Sequence, residues 1–279
     1  MRIWAHRGCS QNYPENTLTA FKKAMEVPGI SGIELDIQLT RDGEMVVIHD
    51  ERIDRTTDGF GFVRDYTLEE LKSFHIYNGM GEAEKIPSMR EVLELLKPGM
   101  VKWRKEQETD PRVDVDFGMG IVQGKGPAPD LGMRLNIELK NSIYPYEGME
   151  KKIVELVHEF GVEEAVVYSS FYADSLYKVH ELDPDAEIGV LDDKVSDCMY
   201  KALGLEALTG AESDFRFALH PYGNAMDTDS ARFAGRPVRA WFLGHLYPEK
   251  PTGGVLDIAK YEAAGVTDIF LNEPERYLG

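Results

Sequence analysis

Glu34, Asp36 and His49 lie within one short stretch, residues 33–50, where acids stand at positions a strand would otherwise fill with hydrocarbon. Ile33, Leu35, Ile37 and Leu39 alternate with Glu34, Asp36, Gln38 and Thr40, so a strand here turns one face to apolar packing and carries two carboxylates on the other. Asp42-Gly43 is a strong hairpin signal, and a two-residue loop at that point pairs Arg41 with Glu44, Ile37 with Ile48 and Asp36 with His49. An antiparallel sheet with one solvated face explains a single such strand more simply. Residues 134–140 repeat the pattern, however, with Leu135, Ile137 and Leu139 on one face and Asn136, Glu138 and Lys140 on the other. Two strands of this kind imply a shared polar interior, where three carboxylates repel one another and resist desolvation unless a cation neutralises them. Glu34, Asp36 and Glu138 therefore predict a bound ion next to a proton carrier, and their all-oxygen donor set points to one hard divalent cation, Mg²⁺ or Ca²⁺.

The elements that must position these groups recur along the chain. Strand candidates follow Ile3 at Ile33 to Thr40, Met45 to His49, Leu135 to Lys140, Ala165 to Phe171, Glu187 to Leu191, Phe215 to His220, Val238 to Leu243 and Val266 to Leu271. Helical patterns fill most of the gaps: Thr17 to Met25, Glu147 to Phe160, and Leu256 to Ala264 before Gly265. Alternation of this kind predicts a parallel sheet. With the Met45 to His49 arm set aside as an antiparallel excursion, eight strands remain, the number that closes a (β/α)8 TIM barrel. A doubly wound open sheet is the alternative, but no Gly-x-Gly-x-x-Gly follows the first strand. His6-Arg7, Asp36, Glu138 to Lys140 and Ser169-Ser170 fall at or just past strand ends, where such barrels do their chemistry. The expected organisation is a single domain over 1–279 with two interruptions. Residues 51–87, which carry Arg52, Arg55 and the amphipathic Leu68 to Phe74, read as an insertion over the barrel mouth. Residues 99–133, with four glycines between Gly118 and Gly126, read as an extra long loop or lid of low internal order.

The composition is that of a soluble globular chain. A net charge of −18, from 31 basic and 49 acidic residues, argues against a nucleic-acid or anionic-membrane surface. Cys9 and Cys198 are far apart and read as two unpaired thiols, which suits a reducing cytoplasm. No apolar run of signal-peptide or transmembrane length is present, so no membrane anchor is expected. Cytoplasmic localisation and a small-molecule substrate are the resulting expectations; the oligomeric state stays open.

The motifs His6-Arg7-Gly8, Pro14-Glu15-Asn16-Thr17, Glu34-Leu35-Asp36, Thr40-Arg41-Asp42-Gly43, His49-Asp50, Asn136-Ile137-Glu138-Leu139-Lys140 and Ser169-Ser170-Phe171 together resemble the glycerophosphodiester phosphodiesterase family. The resemblance implies a metal-dependent TIM barrel that cleaves glycerophosphodiesters into sn-glycerol 3-phosphate and an alcohol. It implies Glu34, Asp36 and Glu138 as metal ligands, His6 as general base and His49 as general acid, and Arg7 as a phosphate contact whose guanidinium fork meets two oxygens at once. Lys140 is read as a second cation on the phosphate, or as a lysine that simply balances Glu138. Phe171 and Trp241 offer an apolar wall for the glycerol carbons or a head group, or are barrel-core aromatics. Ser169 and Ser170 lie in no nucleophile elbow and read as pocket lining. His75, His158, His180 and His245 read as structural or solvated, and His220 as packing near the mouth. The chain departs from the family pattern at Phe242-Leu243-Gly244 and at Asn272-Glu273-Pro274, which leaves the choice of alcohol open. A related phospholipase D-like enzyme on lysophospholipids, and a catalytically silent phosphodiester-binding barrel, are the rival readings.

Overall fold

A computed structural model of the chain describes residues 1–77, 83–109, 132–210, 217–226, 233, 235–250 and 254–278, the side chains of 104–109 excepted. In chain order the elements are β1 (Arg2–His6), α1 (Leu18–Met25), β2 (Gly32–Leu39), β3 (Met45–Val47), α2 (Leu68–Ser73), β4 (Ile76–Tyr77), β5 (Ala83–Glu84) and α3 (Met89–Thr109). They continue with β6 (Arg134–Leu139), α4 (Met149–Phe160), β7 (Val166–Ser170), α5 (Ala173–Leu182), β8 (Glu187–Asp192), α6 (Val195–Thr209), β9 (Ala218–Pro221), β10 (Arg239–Trp241), α7 (Ile258–Ala263), β11 (Asp268–Leu271) and α8 (Glu275–Leu278).

Eight parallel strands run in the order β10-β11-β1-β2-β6-β7-β8-β9, and parallel bridges from Leu219 to Val238 and from Tyr222 to Trp241 join the two ends into the expected barrel. Strand alternation sorts the side chains. Ile33, Leu35, Ile37 and Leu39 join Leu135, Ile137 and Leu139 in the main core between sheet and helices, while Glu34, Asp36, Asn136 and Glu138 occupy the other face and are buried as well.

The barrel interior is filled in layers. At its floor the first residues of five strands meet: Arg239 pairs with Glu187, Arg134 pairs with the same carboxylate, and Asp268 accepts from Arg2 Nη2 and Trp4 Nε1, each at 2.8 Å. Above it Trp4, Val167 and Phe270 form a small apolar cluster. Space for two large rings comes from missing side chains, since a Cβ on Gly32 would stand 2.3 Å from the Trp4 ring and one on Gly189 would stand 2.2 Å from His220.

Burial opposes ionisation of Glu187, but Arg239 and Arg134 hold its carboxyl well below the usual range. Glu187→Gln leaves the fully buried Arg239 guanidinium without this counter-charge. We expect it to cost about 2 kcal/mol at neutral pH, discounted because Glu187 itself keeps some solvent contact. A depressed folded-state pKa contributes stability above the ordinary value of 4.5 and loses it as pH falls further, so the difference between variant and parent should shrink below that pH. Urea titrations at pH 7 and pH 3.5 test this, and an equal deficit at both pH values would rule it out.

Two local expectations are corrected. The hairpin after β2 pairs Ile37 with Val47, Gln38 with Val46 and Leu39 with Met45, one residue away from the register set by a two-residue loop. Gly43 N–H donates to the Thr40 carbonyl and Thr40 N–H to the Glu44 carbonyl, while the Thr40 hydroxyl bonds the Asp42 carboxylate. The turn thus uses the Thr40 and Asp42 side chains and spans five residues instead of two. The segment 99–133 does not start as a loop, because α3 runs through Pro98 to Thr109. Met89, Val92, Leu93, Leu96 and Met100 form one fully buried stripe that continues past the proline. Burial of that stripe outweighs the single backbone hydrogen bond a proline removes. Residues 110–131, and with them the lid expectation, lie outside the described residues, as do Phe215 and Arg216 of the strand expected from Phe215 to His220.

The described residues of 51–77 and 83–87 form an insertion after β3, as expected. Val46, Ile48, Ile53, Val63, Leu71, Ile76 and Ile86 give it a small core of its own, and a capping box between Thr67 and Glu70 starts α2.

Candidate active site

The C-terminal ends of the strands surround a cavity of about 200 Å³ lined on one side by His6, Arg7, Glu34, His49 and Glu138. One oxygen from each of Glu34, Asp36 and Glu138 lies within 4.8 Å of the others, and among the described residues this is the one such cluster. Neighbouring strand register produces it: β2 and β6 place Asp36 beside Glu138, and β1 and β2 place His6 beside Glu34.

These acids are held but not saturated. Glu34 Oε2 accepts from the Arg7 backbone N–H at 2.9 Å and Asp36 Oδ2 from Asn16 Nδ2 at 2.9 Å. Glu34 Oε1 and Asp36 Oδ1 are buried without any hydrogen-bond partner. Burial, followed by the charges of Asp36 and Glu138, pushes the Glu34 carboxyl well above its ordinary pKa. Burial works the same way on Asp36, but His49, Arg7 and Lys140 overcome it and hold that carboxyl low. Two orphaned carboxylate oxygens aimed into a crowded acidic cluster fit a divalent cation, as the donor set suggested.

His6 sits at the end of β1 with Nδ1 2.8 Å from the Asn272 amide oxygen and Nε2 3.8 Å from Glu34 Oε2. An amide oxygen only accepts, so Nδ1 carries the proton and the Nε2 lone pair faces the acids. Burial, then the adjacent Arg7 charge, lowers the His6 pKa to about 3, so the ring is neutral at physiological pH. Arg7 adopts a left-handed φ of 59°, which turns the chain sharply off β1. Its Nε lies 3.5 Å from Asp36 Oδ2 and its Nη1 donates to Glu15 at 3.0 Å. Lys140 Nζ donates to Glu138 Oε1 at 2.9 Å and stands 3.2 Å from His49 Nε2. It balances Glu138, as one of its sequence readings has it, and stands next to His49, which lines the cavity.

His49 follows β3 and is not directly opposite Asp36; Ile48 N–H takes the bond to the Asp36 carbonyl instead. The imidazole still reaches the site, with Nδ1 2.7 Å from Asp50 Oδ1. Across the cavity Phe171 and Trp241 meet edge to face at 6.2 Å, and Tyr222 stacks on Trp241 at 4.6 Å. Leu191 and Leu243 complete this apolar side. Ser169 lines the cavity and accepts from Asn136 Nδ2 at 2.8 Å, whereas Ser170 is spent on the Leu139 carbonyl. A second cavity of about 240 Å³ behind Leu243 and Asn272 contains none of the acid cluster.

The remaining histidines have partners. His75 and His158 lie 3.1 and 2.8 Å from Asp58 and Asp183. His220 is fully buried, touches Arg239 at 3.3 Å and closes the inner end of the cavity. Cys9 and Cys198 are free and buried. Sequence reasoning assigned no role to Glu15, Asn16, Asp50, Arg55 or Asn272. The first three fall inside motifs that carry the resemblance, which was the available signal; Arg55 and Asn272 owe their places to long-range packing.

A closed α/β barrel whose strand ends gather acids, imidazoles and paired cations around one cavity defines an enzyme of the TIM-barrel class. The model of the glycerophosphoryl diester phosphodiesterase family matches residues 6–276. A glycerophosphodiester phosphodiesterase of Caldanaerobacter subterraneus subsp. tengcongensis is 40% identical over 224 residues, covering 79% of this chain and 75% of that protein. One of Bacillus altitudinis is 42% identical over 194 residues, covering 68% and 66%. Among solved structures, an Oleispira antarctica phosphodiesterase in complex with the product sn-glycerol-3-phosphate superposes with a TM-score of 0.68 at 23% identity, over 99% of this chain and 94% of that one. The chain belongs to the glycerophosphoryl diester phosphodiesterase family and is an enzyme of that class. No helix among the described residues is long and apolar enough to cross a membrane.

Proposed function

We propose that this chain hydrolyses glycerophosphodiesters to sn-glycerol 3-phosphate and an alcohol, using one divalent cation, Mg²⁺ or Ca²⁺, held by Glu34, Asp36 and Glu138, with His6 and His49 as general base and general acid. The observation that carries it is the clustering of three buried carboxylates, two of them with orphaned oxygens, beside the His6 and His49 imidazoles that line one cavity, with Arg7 and Lys140 paired to the acids. The relatives' activity and the product bound to the structural neighbour support the same substrate class.

A phosphodiester carries one negative charge, and its cleavage needs that charge screened, a nucleophile deprotonated and a leaving oxygen protonated. The cation, when bound, supplies Lewis-acid stabilisation of the phosphoryl oxygens. Arg7 and Lys140 add donors from the protein side. His6 Nε2 takes the proton of the attacking hydroxyl, from water or from the neighbouring glycerol carbon; its lowered pKa keeps that lone pair free, and Asn272 keeps the ring turned toward the acids. As the bond from phosphorus to the leaving oxygen breaks, that oxygen takes a proton from His49 Nε2. Asp50 accepts from Nδ1 and fixes the orientation of the ring. The Phe171, Trp241 and Tyr222 wall receives the carbon parts of the substrate. A cytoplasmic enzyme acting on small soluble diesters completes the reading.

The test is release of glycerol 3-phosphate from glycerophosphocholine and glycerophosphoethanolamine by chelator-treated protein, with Mg²⁺, Ca²⁺ or Mn²⁺ restored singly. Release that depends on the added cation is the expected result. Folded protein with no release under any cation would refute the reading.

A further inference from the structure

Arg55 comes from the inserted segment, not from a barrel strand, and its exposed guanidinium is the hub of a continuous chain of ion pairs. Nε donates to Asp50 Oδ2 at 2.6 Å and Nη2 to Asp50 Oδ1 at 3.0 Å; Nη1 donates to Glu15 Oε2 at 2.6 Å and Nη2 to Glu15 Oε1 at 2.9 Å. Each carboxylate has a second bond that enters the site. Glu15 Oε1 accepts from Arg7 Nη1 at 3.0 Å, and Asp50 Oδ1 bonds His49 Nδ1 at 2.7 Å. The path Arg7, Glu15, Arg55, Asp50, His49 thus joins two residues of the cavity's polar side through one that does not line it.

We propose that Arg55 is a positioning residue that ties the phosphate-binding Arg7 and the imidazole of His49 into one geometry, making the 51–87 insertion a working part of the active site. The inference rests on the roles given to Arg7 and His49 above. The physical case is the shape of the donor. Only a planar guanidinium presents donors on two edges in a fixed plane, so Arg55 can satisfy two carboxylates at once and fix the distance between them. Asp50, clamped from behind by Arg55, can then hold the Nδ1 proton of His49 and leave Nε2 facing Lys140 and the cavity. Without the clamp, Asp50 is a half-exposed carboxylate next to a half-exposed histidine, free to turn to water. Glu15 is nearly fully buried, and loss of Arg55 leaves it with Arg7 alone, drawing that guanidinium away from the phosphoryl position.

Outer partners of this sort change rates by about 10- to 100-fold when removed. Arg55→Leu should therefore lower kcat by about that factor on glycerophosphocholine with saturating cation, with the affinity for the cation unchanged, because neither Glu15 nor Asp50 belongs to the carboxylate trio. Arg55→Lys, which reaches one carboxylate but not both, should recover only part of the loss. Nitrogen-15 shifts of the His49 ring give the separate readout: one tautomer, protonated on Nδ1, in the parent at high pH, and a mixture in both variants. His49→Ala, assayed alongside, separates the two ideas. If His49→Ala is inactive while Arg55→Leu keeps the parental kcat, the positioning role is wrong and the catalytic reading stands; if His49→Ala retains activity, the catalytic reading itself has failed. A fall in kcat with the His49 tautomer unchanged in Arg55→Lys would also overturn the proposal, since the loss would then not act through His49.

Discussion

Glu34→Gln should reduce hydrolysis by about a thousandfold or more while the barrel stays folded. Lewis-acid stabilisation is worth several kcal/mol, and each 1.36 kcal/mol is a factor of ten. The variant should also gain stability where the parent loses it. The parent's Glu34 carboxyl is pushed well above 4.5 by burial and then by Asp36 and Glu138. A folded-state pKa above the unfolded value means that the folded chain binds the extra proton, so stability is full below about pH 4.5 and declines as pH rises toward the folded value. Chelator-treated parent should therefore melt at falling temperature as pH rises from 5 to 8, roughly, and Mg²⁺ or Ca²⁺ should cancel that slope. Glu34→Gln, which brings no charge to the cluster, should show a flatter profile and little response to either cation. Melting curves of both proteins across that range, with and without cation, decide it. A parent whose melting temperature ignores every divalent cation would remove the basis for a metal site here.

His49→Gln should lower kcat for glycerophosphocholine by about 10²- to 10⁴-fold, the usual share of a positioned acid or base. The more telling quantity is the dependence on the leaving group. A nitrophenolate departs without needing a proton, so a glycerophosphodiester of nitrophenol should be cleaved by His49→Gln at nearly the parental rate. His6→Gln should be equally impaired on both substrates, because deprotonation of the nucleophile does not depend on what leaves. Steady-state kinetics of the two variants on the two diesters test the assignment, and an equal deficit of His49→Gln on both would show that His49 is not the acid.

Much of this site could be read in the sequence because strand alternation carries the information twice. The hydrophobic positions of residues 33–39 and 135–139 fix which face packs, and that leaves Glu34, Asp36 and Glu138 nowhere to point but inward. His49 was legible by identity but not by route. The two-residue turn implied a direct pairing with Asp36, whereas Thr40 and Asp42 side chains stretch the turn and shift the register by one. The helical start of 99–133 was hidden by Pro98, a residue whose local preference yields to the burial of Met100. Asn272 and Arg55 were illegible for a different reason. Asn272 meets His6 only because β11 lies beside β1 in the closed barrel, and Arg55 meets Glu15 and Asp50 only because the insertion folds back on its own small core. Such contacts depend on closure and docking, which no local period records.

The layer of Trp4, Val167 and Phe270 makes the barrel a vessel with one opening. Below it the interior is packed with paired ions and above it lies the cavity, so neither water nor solute has a route through the axis. Among the described residues the cavity opens at the strand ends, the doorway that substrate and products of the proposed reaction would share. A product that lingers there would compete with incoming substrate for the site.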